Sequence, residues 1–169
     1  MTASTTAVGR VTSEHRGQGR FLLRFELRLP HPYEPVWAAL ATAEGLRGWL
    51  AAADRFERRI GGQVALRLRG TGAPVPGRVT AWDVEHVAEY TLAEHGRIRF
   101  LLEPAGPGAT VVRFTNERDG TDADRLDALA DWHDHFERLA RALDGHPTDW
   151  DAWTGERRAE LRAHYAGTP

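Results

Sequence analysis

The chain has 169 residues and contains neither cysteine nor lysine, so all 22 of its basic residues are arginine. Without a thiol there is no disulfide, no thiolate nucleophile and no thiolate-bound metal. Serine is almost as scarce. Ser4 and Ser13 are the only two, both near the start, which leaves little for covalent acyl chemistry to use. No apolar run approaches the ~18 residues of a membrane span. The opening MTASTTAVGR lacks the basic stretch and apolar run of a secretory signal. A formal charge of −2 gives no electrostatic reason to expect nucleic acid or an anionic membrane as partner. A cytoplasmic protein of one domain is the expectation, long enough to bury a sizeable core.

What the sequence does have is a strongly punctuated helix over Asp122–Leu143. Thr121 and Asp124 stand at capping-box spacing, and Gly145 and Pro147 supply stop signals. Leu126, Leu129, Ala130, His133, Phe136, Ala140 and Leu143 recur at steps of three and four, which predicts one apolar face. At about 1.5 Å per residue the helix is roughly 33 Å long. So long a face needs a large apolar partner.

Strands supply it. Arg20–Leu29 alternates, with Phe21, Leu23, Phe25, Leu27 and Leu29 on one side and charged residues between them. Pro30 and Pro32 end this strand. Two short helices follow, with Pro35 expected in the first position of one and Thr42 capping the other. Further strands are expected at Arg55–Arg59, Gln63–Arg69, Val75–Ala81, His86–Leu92, Arg97–Glu103 and Thr110–Asn116, with Gly61–Gly62 as a hairpin turn. Connections this short favour an antiparallel sheet. The prediction is therefore an α+β fold, with a curved sheet of about six to seven strands wrapped around a long C-terminal helix. Residues Met1–Gly19 are expected to form a flexible arm, Arg20–Gly145 the domain, and His146–Pro169 a tail with a short helix. In the tail, Thr148 and Asp151 have capping spacing, and Trp150, Trp153, Leu161 and Tyr165 could share one side.

With LPHPYEPVWAALATAEGLRGWL near the start and DWHDHFERLARAL near the end, this order resembles the START-like (SRPBCC, helix-grip) superfamily. It is most similar to the branch named after the activator of heat-shock-protein-90 ATPase. Pro32, Val36, Trp37, Leu40, Gly45, Leu46 and Trp49 carry the match, with Gly61–Gly62 and with Trp132, Leu139 and Leu143; DWDAWTGERRAELRAHY resembles tails of bacterial members. The resemblance implies a helix-grip fold holding an apolar molecule between sheet and long helix, in proteins that carry, sense, cyclise or hydrolyse. Fold alone does not choose among these.

On this reading the function is binding of a small hydrophobic or aromatic ligand in a cavity of about 300–1,000 Å³. Trp49, Phe56, Leu66, Leu68, Val79, Tyr90, Phe100, Phe114, Leu129, His133 and Phe136 would line it. The alternatives are a cyclase/aromatase- or hydrolase-type enzyme using His133, with Glu137 or Tyr90 as further candidates, and a co-chaperone-like protein-binding module. Enzyme sites need several convergent titratable groups, and the inner face offers one, so catalysis is not favoured. His133 with Glu137, and Asp131 with His135, lie at i,i+4, yet nothing in the sequence supplies a third ligand, and no metal or cofactor is expected. The expected partner is a small apolar molecule, with a homodimer through the tail as a further possibility.

Overall fold

A computed structural model describes residues 7–167. Its longest element starts where Thr121 ends the chain's free run of polar residues. The Thr121 hydroxyl accepts from the Asp124 amide at 3.1 Å, while the Asp124 carboxylate accepts from the Thr121 amide at 2.8 Å. Both orphan donors are thereby satisfied, and the helix runs over Asp122–Leu143 as expected.

Eight antiparallel strands curl around it. They are β1 (Val8–His15), β2 (Arg20–Leu29), β3 (Ala51–Phe56), β4 (Gln63–Leu68), β5 (Val75–Asp83), β6 (Val87–Leu92), β7 (Gly96–Pro104) and β8 (Thr110–Asp119). Their order across the sheet is β1-β2-β8-β7-β6-β5-β4-β3. Between β2 and β3 lie α1 (Tyr33–Ala41) and α2 (Ala43–Arg47); the long helix is α3, and α4 (Glu156–Ala166) ends the described chain. This is the expected α+β helix-grip arrangement.

The strand count exceeds the expected six to seven, because residues 8–15 form an edge strand and not a free arm. β1 pairs with β2 from Val8↔Leu27 to His15↔Phe21. The strand shows no apolar alternation because it turns polar groups toward α3. Ser13 accepts from Arg125 at 2.8 Å, and His15 Nε2 lies 3.3 Å from Asp122. Residues 1–6 of the expected arm lie outside the described residues. β3 also begins earlier than expected, at Ala51, with a bulge between Ala53 and Arg55. Three successive alanines carry no periodic signal.

Inward residues of β2 and β4–β8 meet α1, α2 and α3 in one hydrophobic core. Two buried hydrogen bonds tie α1 into it. Trp49 Nε1 donates to the Ala39 carbonyl and Tyr90 OH to the Leu40 carbonyl, each at 2.8 Å. Pro35 is the third residue of α1 and not its first, with Pro32 at the cap position. Thr42 caps α2 through Gly45 N at 2.9 Å. The outer face of the sheet is a lattice of cross-strand ion pairs, including Arg24–Glu14, Arg99–Glu89 and Arg113 with Glu26 and Glu103. Long side chains lie flat over it, and outward-facing Leu22 is buried to 4% exposure beneath them.

After α3 the chain crosses back. Asp149, not Thr148, accepts from the Asp151 amide at 3.1 Å and starts a single 3-10 turn at Trp150–Ala152. Both tryptophans thus precede α4 and do not line it. Among the described residues no helix is long and apolar enough to cross a membrane.

Candidate functional site

The residues expected to line a cavity are gathered by the fold, but against each other. Trp49, Leu66, Val79, Tyr90, Phe100, Phe114, Leu129 and Phe136 all belong to the single core, and Phe56 and Leu68 pack against it half-buried. Phe136 stands at the centre. Its ring lies 4.9 Å from Phe114, 5.2 Å from Phe25, 5.6 Å from Trp132 and 5.9 Å from Trp49, centroid to centroid. The chain of rings continues from Phe114 to Phe100 at 5.3 Å, then to Tyr90 at 6.4 Å and Phe56 at 5.6 Å. Trp49, Phe100, Phe114 and Phe136 are wholly buried. The residues expected to surround an apolar guest thus pack closely on one another.

His133 is not part of that wall. It lies at the helix edge, with its ring 6.4 Å from Phe25, and faces α4. Its Nδ1 hydrogen-bonds Tyr165 OH at 2.6 Å, and its Nε2 is 3.5 Å from Glu137. Burial pushes the Glu137 carboxyl up, but hydrogen bonds from Arg157 and His133 outweigh it and bring it down to about 2. Burial, with Glu137 nearby, pushes the Tyr165 phenol up to about 12. These groups hold one another.

The histidine that does point inward is His135. It is 5% exposed and donates from Nδ1 to the Trp49 carbonyl at 2.8 Å. Burial drives its pKa down, the Trp49 bond opposing, so it is neutral at pH 7. Beside it, fully buried Asn116 donates to the carbonyls of His95 and Arg97 and accepts from Trp132 Nε1 at 3.2 Å. The sequence pattern offered His135 only as one half of an i,i+4 pair and did not mark Asn116, because a polar residue that satisfies core hydrogen bonds resembles a solvated one until its neighbours are known.

Both i,i+4 pairs considered as metal ligands are occupied within the protein. Glu137 receives Arg157 at 2.7 and 2.8 Å, Asp131 pairs with Arg158, and His135 holds Trp49. Among the described residues no three His, Asp or Glu side chains are placed around a common ion position. Two wide clefts open on the outside instead. One, of about 420 Å³, lies on the outer sheet face between Arg10, Arg24, Arg99, Leu101 and Arg113. The other, of about 540 Å³, runs between α1, α2 and the end of α3, past Ala38, Gly45, Ala142 and Leu143.

A family model described as Activator of Hsp90 ATPase homolog 1-like protein matches residues 30–144. No curated protein matches the chain by sequence. Among solved structures it is similar to a conserved protein of unknown function from Enterococcus faecalis, with TM-score 0.72 and 17% identity over 93% of this chain and 88% of that one. It is also similar to CalU16 from Micromonospora echinospora, with TM-score 0.70 and 13% identity over 95% and 96%. A third is the Aha1 dimer from Colwellia psychrerythraea, with TM-score 0.59 and 21% identity over 72% and 95%. At such identities the likeness is one of fold.

Proposed function

The chain belongs to the Activator of Hsp90 ATPase homolog 1-like family, and from that premise we propose that it is a non-catalytic binding module whose partner is another protein, engaged on its outer surface. The observation that carries this reading is the solid core. Seating a guest between sheet and α3 would mean moving rings that touch on several sides, and emptying one such position costs about 3–5 kcal/mol. Catalysis by His133 is disfavoured because both of its ring nitrogens are engaged by Tyr165 and Glu137, and its ring packs on Phe25. A protein partner accords with a family named after an activator of the Hsp90 ATPase.

Native mass spectrometry of the purified chain, with thermal melts in palmitate, indole and naphthalene, tests this. The expected outcome is a bare mass and unmoved melts. A guest at a hundred times its Kd would add about 2.7 kcal/mol, raising the melt of a chain this size by roughly 5–11 °C. A shift of that size, or a co-purified apolar molecule, overturns the proposal.

One observation favours a second reading, a small apolar ligand at one end of the core. Phe56, Leu68 and Trp82 there are only half-buried, so a modest parting of β3–β5 would admit a flat molecule. On that reading Phe56→Ala would alter the response to indole while leaving the fold intact.

A further inference from the structure

α4 is joined to the body by more ion pairs than buried apolar side chains. Arg157 is bonded to Glu137, Arg158 to Asp131 and Arg162 to Asp127, the last at 2.6 Å. Arg158 also reaches Asp127 at 3.6 Å. The arginine side chains in these pairs are 30–46% exposed. Leu161 is the one buried residue of α4. Neither Leu161 nor Ala130, which is fully buried on α3, belongs to the main core. Tyr165, bonded to His133, completes the contact. α3 therefore presents a ledge of carboxylates at Asp127, Asp131 and Glu137, three turns long, and α4 reads it with a matching comb of guanidinium groups.

The joint that carries α4 is short and weakly held. Trp153 is fixed to the body, its Nε1 3.3 Å from the Asp134 carboxylate and its ring 4.6 Å from the Arg69 guanidinium. Thr154 and Gly155 alone separate it from α4, and α4 begins with no side-chain cap. Opening at this joint would leave the aromatic core untouched. It would part three acids on α3 from three arginines on α4, and isolated surface pairs of this kind contribute little each. A chain so opened displays an acidic ledge and the basic helix that fits it.

We propose that the α3 ledge is an interaction surface for the α4 helix of a second copy, the two chains exchanging α4 about a twofold axis. The exchanged helix makes every contact seen within one chain, so complementarity is guaranteed by identity. In the native chain α4 competes from the same molecule at an effective concentration of order millimolar. Exchange is therefore a high-concentration state unless the inner contact is lost. This inference stands apart from the function proposed above.

A charge swap tests it on the full chain. One variant carries Arg158→Glu and Arg162→Glu; the other carries Asp127→Arg and Asp131→Arg. In each, α4 is repelled by its own ledge; in an equimolar mixture, each α4 finds the opposite charge on the other chain. Near-UV circular dichroism confirms that both keep the ring core, and light scattering reads the mass. Each variant alone should be a single chain, and the mixture a two-chain species at concentrations at least tenfold below any dimer of the native protein. A mixture that stays at single-chain mass overturns the proposal. So does a result in which the first variant, its own α4 repelled, binds an added arginine-rich helical peptide yet fails to pair with the second, since the ledge would then serve a foreign helix. If either double variant loses its core signal, Arg162→Glu mixed with Asp127→Arg carries the same test.

Discussion

Replacing Phe136 with alanine asks directly whether the space between helix and sheet is filled or merely closed. The side chain is wholly buried and touches four rings, those of Phe25, Trp49, Phe114 and Trp132. Those rings are themselves pinned. Trp49 donates to Ala39, Trp132 to Asn116, and Phe114 sits in the middle of a paired strand. The hole can collapse little, so the cost should fall in the full range for a buried aromatic, about 3–5 kcal/mol. Set against a total stability of about 5–15 kcal/mol, that is a large fraction. At roughly 2–4 °C per kcal/mol for a chain of this length, the midpoint should fall by about 6–20 °C. Urea melts should show a lower midpoint with an unchanged slope, since the surface exposed on unfolding is nearly the same. The vacated space would be dry and apolar, so the variant, unlike the native protein, should be stabilised by benzene or indole. A loss below about 1 kcal/mol, or equal stabilisation of both proteins by indole, would refute the filled core and restore the interior as a ligand site.

Acid should expose His135. Its folded-state pKa is depressed from 6.5 by burial, so the unfolded chain binds the extra proton. Its contribution is intact above pH 6.5 and is lost as pH falls below that value, by up to about 1.4 kcal/mol per unit. Urea melts of His135→Gln should lack that part of the slope, and identical slopes would remove His135 as the cause. Thr121→Ala deletes half of the reciprocal cap on α3 and should cost about 1 kcal/mol in the same assay. Raising salt to 1 M shortens the Debye length to about 3 Å. Hydrogen exchange in α4 should then quicken while that of β2, β8 and α3 does not; uniform protection would show α4 to be held by packing.

Some of this was legible in the sequence for identifiable reasons. α3 was bounded to the residue because its start and stop are local chemistry: a reciprocal cap at Thr121 and Asp124, and Gly145 with a φ of +92° just past the end. β2, β4 and β7 were readable because one face is wet and the other dry. β1 was not, because a bulge between Val8 and Val11 and the polar Ser13 and His15 break the apolar alternation of its inner face. His133 and His135 show the limit for the site. They stand two positions apart on one helix, and the angle at which α3 seats on the sheet puts His135 inside and turns His133 toward α4. That angle depends on the rings packed against Phe136, those of Phe25 on β2, Phe114 on β8 and Trp49 after α2. Periodicity marks which residues leave water. Whether they fill a space or surround one depends on volumes summed over the whole fold.

The sheet order also dictates a sequence of events in time. β2 lies between β1 and β8, and Phe25 faces Phe114 across a pairing that spans about ninety residues of chain. The strands from β3 to β7 are joined by short turns and can pair as they are made, but β2 must wait for β8. Until then the apolar edge of β2 stays bare, and closure of so long a loop makes the final step slow. On the ribosome, synthesis would have to pass α3 before the core could close. The interval between the emergence of β2 and that of β8 is the period in which this chain is most open to aggregation.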